Sequence, residues 1–215
     1  MPKRLIIAIP TFENILPDTF KSIYDLKIPA DENGDPIYIP EFNFIRGYDC
    51  ARARNFIAAK AIEEGFDYLL MVDSDIVLPS NLLLIYEEDR AKLDKEGVFL
   101  GGYLRKDPNA AWIELYKDGA NYLRENQYSL GELMALNEQG TTHFRIKGGG
   151  FGCAIVPIDI LKKMEYPWFH YQVYNNGMVL SEDLFFCSRA AQHDIPIWSD
   201  TRILCGHCFR SIRYE

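Results

Sequence analysis

The chain has 215 residues, 48% hydrophobic and 25% charged, a balance that fits one globular domain able to bury a real core. A net charge of −8 argues against a protein that grips nucleic acid through a broad basic face. It leaves room for a nucleotide, whose few phosphates one metal ion can handle.

The opening run RLIIAIP (residues 4–10) is continuous, apolar and closed by Pro10, which predicts a buried parallel strand. It is too short before Pro10 for a secretory core, and acids break the later apolar stretches. No export signal or membrane span is therefore expected, and the cytoplasm is the expected location. In that setting the five irregularly spaced cysteines (50, 153, 187, 205 and 208) read as free thiols. Ile15, Phe20, Ile23 and Leu26 recur at helical spacing, ADENGDP (30–36) is turn-rich, and IYIPEFNFIRG (37–47) reads as extended. The Ala-rich ARARNFIAAKAIEEGF (51–66) predicts a helix closed by Gly65. FDYLLMVDSD (66–75) follows as a second buried strand, PSNLLLIYEEDRAKLDKEG (79–97) as a helix, and GVFLGGYLR (97–105) as a third strand. This order is that of a doubly wound α/β protein.

From Lys106 to about Lys147 the character changes, and WIELYKDGANYLRENQYS (112–129) predicts a hairpin or meander. HFRIKGGGFGCAIVP (143–157), a helix PIDILKKM, a loop PWFHYQVYNNG and a helix SEDLFFCSRAAQHD (181–194) come next. A strand pair around IPIWSD and TRILCGH closes the pattern. No repeat or linker divides the chain, so residues 1–215 read as one domain.

Asp73 and Asp75 stand where an apolar strand runs out, at the carboxyl edge where open α/β sheets bind ligands. In extended backbone residues spaced by one share a side, so both carboxylates could face one hard cation such as Mg²⁺ or Mn²⁺. The plainer reading is a pair of acids capping the strand end. Two other uses of D-x-D fit poorly. In aspartyl-phosphate enzymes the pair follows the first strand, and in sugar-nucleotide pyrophosphorylases a glycine-rich loop follows it; here that loop is IPTFENILP. The late stretch ILCGHCFRS (203–211) suggests a zinc clip at Cys205, His207 and Cys208. Structural zinc wants four ligands in paired sets, and the remaining cysteines are isolated.

RLIIAIPTFEN, then ARNFIAAKAIEEGFDYLLMVDSDIVLP, resembles the nucleotide-binding half of a GT-A-fold glycosyltransferase of the family 2-like type. GGGFGCAIVPIDILKKMEYPWF and SEDLFFCSRAAQHDIPIWSDTRILCGH are similar to that superfamily's second half, and only 107–142 carries no matching motif. The resemblance implies a single GT-A-like (Rossmann-like) α/β domain. Its central sheet is mostly parallel and flanked by helices, with a small antiparallel addition in the second half. Residues 1–105 would be the nucleotide-binding half and 106–215 the acceptor and catalytic half.

For function, the resemblance implies metal-dependent transfer of a sugar from a UDP- or GDP-linked donor to an acceptor hydroxyl. It leans towards inversion, although a histidine metal ligand also occurs among retaining members. The alternative is a GT-A-like domain that binds a sugar nucleotide without transferase activity. In the loop from Pro10 to Glu13, Thr11 would bond the base or ribose and Phe12 pack on the base, and Glu41 or Asp49 could read it. Arg54, more than Arg52, would reach the diphosphate or base from a helix N-terminus. Asp73, Ser74 and Asp75 complete the donor contacts, with Asp75 on the Mn²⁺ or Mg²⁺ directly and Asp73 on the ribose or the cation. Gly149 and Gly150 form a pocket wall, though a β-bulge is the plainer reading. Asp183 is the implied base and Glu182 an acceptor or supporting contact, in a position equally suited to a helix start after Ser181. His207 would return to the cation held by Asp75.

Overall fold

In the computed structural model, residues 1–12, 14–106 and 111–208 are described. Glu13 of the expected nucleoside loop and residues 209–211 of the late Cys-His-Cys stretch lie outside them. In chain order the elements are β1 (Lys3–Thr11), α1 (Pro17–Tyr24), β2 (Tyr38–Arg46), α2 (Cys50–Glu63), β3 (Tyr68–Val72), β4 (Ile76–Val77) and α3 (Leu82–Arg90). Next come β5 (Val98–Leu100), β6 (Gly102–Tyr103), β7 (Trp112–Lys117), β8 (Gln127–Ser129), α4 (Leu130–Glu138), β9 (His143–Gly149) and β10 (Cys153–Pro157). The remainder is α5 (Ile158–Lys162), β11 (Gln172–Val173), β12 (Val179–Leu180), α6 (Glu182–Gln192), β13 (Ile197–Asp200) and β14 (Leu204–His207).

Among the described residues, nine strands form the central sheet in the order β2-β1-β3-β10-β5-β13-β9-β7-β8. Strands β1, β2, β3, β5, β7 and β13 run one way; β8, β9 and β10 run the other. Six of the nine strands thus share one direction in a mixed sheet, its parallel pairs being β1 with β2, β1 with β3 and β5 with β13, and every reversed strand comes from the second half. Apolar side chains cover both faces, because β1 and β3 are buried through most of their length. Ile57, Ala58, Ala61, Leu161 and Phe186 pack on one face, and Ile23, Leu82, Leu83 and Tyr86 on the other. No helix among the described residues is long and apolar enough to cross a membrane.

The structure departs from the sequence reading in four places. Residues 97–105 do not make one strand: β5 stays in the central sheet, while β6 joins a three-stranded sheet ordered β4-β14-β6. Gly101 sits at the switch, and a Cβ there would lie 2.7 Å from Cys153 Sγ and 3.0 Å from an Ile203 methyl. Nor do the last two strands pair together. β13 lies between β5 and β9, and β14 leaves to pair antiparallel with β4 and parallel with β6. In the expected meander, α4 is a helix fixed by a capping box: the Ser129 hydroxyl accepts from Glu132 N, and the Glu132 carboxylate accepts from Ser129 N. Helix α3 stops at Arg90, short of the expected Gly97.

Candidate active site

Strands β1 and β3 run parallel and end side by side, so the loops leaving their carboxyl ends open onto one edge. After β3 the backbone turns at once. Asp73 N donates to Gly152 O (3.0 Å), and Ile76 N donates to Asp73 O (3.1 Å). The two acids therefore do not sit on one extended strand facing a common point. Asp73 Oδ1 accepts from Arg54 Nη2 at 2.9 Å, while Asp75 Oδ2 pairs with the Lys106 ammonium. Asp75 Oδ1 faces His207 Nε2 at 3.6 Å.

His207 reaches Asp75 through strand pairing: β14 lies against β4 with His207 opposite Ile76, the neighbour of Asp75. Its Nδ1 is 2.6 Å from Leu104 O, which makes Nδ1 the donor there and turns Nε2 towards the carboxylate, to which the protonated ring donates. Burial alone would push Asp75 up. Bonds from His207 and Lys106 outweigh it and hold the carboxyl at about 2. Burial would lower His207, but Asp75 and the Leu104 carbonyl raise it above its usual value.

Two cis ligands of an octahedral Mg²⁺-sized ion at ~2.1 Å lie about 3 Å apart. Asp75 and His207 fit such an ion after a small side-chain movement. The expected third ligand, Asp73, is instead held by Arg54, and no group of three or more metal-binding side chains forms among the described residues. Nor does the zinc clip assemble. Cys205 is buried beside Cys153, the Cys208 amide donates to Asp75 O, and all five cysteines are free thiols.

Four consecutive residues that the sequence did not single out are fastened around this point. The Tyr103 hydroxyl accepts from Gly152 N (3.2 Å), Leu104 O holds His207, Arg105 Nε pairs with Glu114 Oε1 (2.8 Å), and Lys106 pairs with Asp75. Burial raises Glu114 and Arg105 opposes the shift. These groups border a cavity of ≈ 670 Å³. Of the expected residues, Phe12, Asp73, Ser74, Asp75, Gly150, Asp183 and His207 line it, together with Tyr103, Arg105, Lys106, Glu114, Tyr116 and Arg124. In the sequence Glu114 was marked only by its place as a charge between Ile113 and Leu115.

Thr11, Arg54, Gly149 and Glu182 lie behind the wall. The Thr11 hydroxyl donates to Asn14 O (3.1 Å). Gly149 lets β9 approach β7, since a Cβ there would fall on the Glu114 carbonyl, while the strand register shifts between Tyr116 and Lys117. Arg54, 2% exposed, spans Asp73 and Glu182 Oε1 (2.5 Å) and does not reach the cavity. Its neighbour Asn55 accepts from Trp168 N and Phe169 N and donates to Phe169 O, so the Arg-Asn pair ties α2 to the second half. Burial raises Glu182 and Arg54 opposes it. Asp183 Oδ1 accepts from the Ser181 hydroxyl and from Leu184 N (2.8 Å).

No family model matches the chain, and no curated protein matches it. Among solved structures it is similar to A197 from STIV, with TM-score 0.61 and 16% identity over 96% of this chain and 86% of that one. It is also similar to GalNAc-T7 with UDP, GalNAc and Mn²⁺, with TM-score 0.60 and 13% identity over 97% of this chain and 44% of that one. This chain thus spans less than half of the GalNAc-T7 chain. At these identities the likeness is one of fold, and that fold is GT-A-like.

Proposed function

We propose that this protein is a glycosyltransferase that moves a sugar from a UDP- or GDP-linked donor to an acceptor hydroxyl, with Mn²⁺ or Mg²⁺ held at Asp75 and His207. The observation that carries it is the convergence of Asp75, His207 and Asp183 on one cavity of ≈ 670 Å³ beside the ends of β1 and β3. That size suits a ligand site, and strand ends are where α/β sheets bind nucleotides. The GT-A-like fold, shared with a structure that holds UDP, GalNAc and Mn²⁺, supports the same reading.

In this proposal residues 1–105 hold the nucleotide, residues 106–215 supply the acceptor side, and His207 crosses back to the first half. Phe12, 73% exposed at the cavity, packs on the base, and Thr11 shapes the loop that carries it. Arg54 positions Asp73 for the ribose, and Ser74 lies beside it on the donor. Gly150 lines the donor-sugar side with its backbone, its missing side chain making room for the Tyr103 hydroxyl, and Gly149 holds the wall behind it. A bound cation would neutralise charge on the diphosphate as the glycosidic C–O bond breaks. Asp183 takes the proton from the acceptor hydroxyl, whose oxygen bonds to the anomeric carbon while the nucleoside diphosphate leaves with the bonding pair. The Ser181 and Leu184 bonds fix Asp183 Oδ1, and Oδ2 receives the proton. Glu182 acts through Arg54.

A thermal-shift panel of UDP and GDP with and without Mn²⁺ tests the assignment on the wild type, Asp75→Ala and His207→Ala. Metal-dependent stabilisation by one nucleotide, lost in both variants, is the expected result; equal stabilisation of the variants sinks the site. If a nucleotide binds but several nucleotide sugars give neither transfer nor donor hydrolysis, the domain binds sugar nucleotides without transferring them.

A further inference from the structure

The Lys106 ammonium stands on the carboxylate that the proposed cation would need. It pairs with Asp75 Oδ2, while Oδ1 of the same group faces His207 Nε2 at 3.6 Å. Both oxygens thus already have partners. One carboxylate and one imidazole are also a thin donor set for a hard cation that prefers about six ligands. No third carboxylate, histidine or cysteine completes the set among the described residues.

The stretch leading into Lys106 is firmly tied. The Tyr103 hydroxyl, the Leu104 carbonyl and the Arg105 guanidinium each have a partner in the cavity wall. Lys106 differs from these three: its side chain is about half exposed and carries a compact charge on a flexible stem. It can swing while the backbone before it stays in place. A diphosphate entering the cavity brings oxygen ligands for a cation and a new counter-ion for an ammonium group.

We propose that Lys106 is an internal cation competing with the divalent ion for Asp75, released to the donor diphosphate on binding, so that metal and nucleotide load together. This rests on the metal-binding reading above. Lys106 exchanges one anionic partner for another; no covalent bond to it is made or broken.

The test measures Mn²⁺ binding by electron paramagnetic resonance of the free ion, without nucleotide and with UDP or GDP. The proteins are the wild type, Lys106→Gln, Lys106→Arg and Lys117→Gln. Lys117 pairs with Glu132 and does not line the cavity, so its variant removes equal charge elsewhere. Without nucleotide, Lys106→Gln binds Mn²⁺ about tenfold tighter than the wild type, while Lys106→Arg and Lys117→Gln stay within about twofold of it. The gain in Mn²⁺ affinity that nucleotide gives the wild type shrinks in Lys106→Gln. Mn²⁺ affinity in Lys106→Gln that equals or falls below that of the wild type, or is undetectable in both, overturns the proposal. Equal tightening in Lys117→Gln does so too, since it would mark a general charge effect. Asp75→Ala separates the two readings: if it binds Mn²⁺ with nucleotide as the wild type does, the metal assignment itself fails, and the competition with it.

Discussion

Arg54 Nη1 lies 2.5 Å from Glu182 Oε1, a buried ion pair between residues 128 apart in sequence. The other Nη binds Asp73, so a single guanidinium joins the acid after β3 to the acid opening α6. Removing one partner of a buried pair leaves the other charge uncompensated and costs about 3–5 kcal/mol. Arg54→Ala is therefore expected to lose that much in urea denaturation, and Arg54→Met with Glu182→Gln less than Arg54→Ala alone. A loss in Arg54→Ala below about 1 kcal/mol would place this pair with exposed ones.

Asp183→Asn keeps the side-chain oxygen that accepts from Ser181 and Leu184 and removes the group that takes a proton. A kcat lower by about 10²–10⁴, with UDP or GDP binding within about twofold of the wild type, is expected from transfer assays and nucleotide titration. Loss of nucleotide affinity in step with kcat would move Asp183 from the reaction to donor binding.

Gly150 and Tyr103 compete for the same space, because a Cβ at Gly150 would fall on the Tyr103 hydroxyl. Gly150→Ala should cost about 1–3 kcal/mol as an overpacked site. Tyr103→Phe alone should cost about 1 kcal/mol through loss of the bond from Gly152 N. The double variant should be more stable than the sum of the two, since removing the hydroxyl takes away the worst contact and leaves the ring carbon at 2.9 Å; strict additivity would show that the two sites are independent.

Far along the sheet, Asp89 and Asp200 are buried together, with Arg202 Nη2 on Asp89 Oδ1 (2.9 Å) and Asp200 Oδ2 (2.8 Å). Asp89 Oδ2 is buried without a hydrogen-bond partner. Burial and the neighbouring Asp200 carboxylate push Asp89 up to about 8, against the pull of Arg202. The folded protein holds this proton where the unfolded chain, near 3.8, has lost it. Stability from this group is thus full below about 4 and declines as pH rises towards about 8. Thermal unfolding at pH 5, 7 and 8.5 should show Asp89→Asn gaining on the wild type as pH rises. A constant gap between the two would show that the folded protein does not hold a proton on Asp89 in this range.

Much of this was legible in the residues. β1, β3, α2 and α6 announce themselves through apolar runs, helical spacing and an N-terminal Ser181, because their burial is local and regular. The partners of Arg54 were not legible: the sequence supplies a cation near a helix start, and only the tertiary arrangement chooses two protein acids over a ligand. The split at Gly101–Gly102 and the parting of β13 from β14 depend on which sheet has room, which spacing does not encode. Glu114 and Lys106 fall in or beside the stretch without a motif, where short strands give weak periodicity. The capping box at Ser129 and Glu132, by contrast, was there to be read.

Because β14 sets His207 opposite Ile76, the distance between imidazole and Asp75 carboxylate is a matter of register. A slip of one residue would turn His207 to the opposite face. A chain grown only as far as Thr201 would already carry Asp73, Asp75, Glu114 and Asp183, yet lack the imidazole and the strand that brings it. The cavity is thus finished by a late-arriving strand, and a ligand that needs His207 would distinguish a chain that has completed folding from one that has only collapsed.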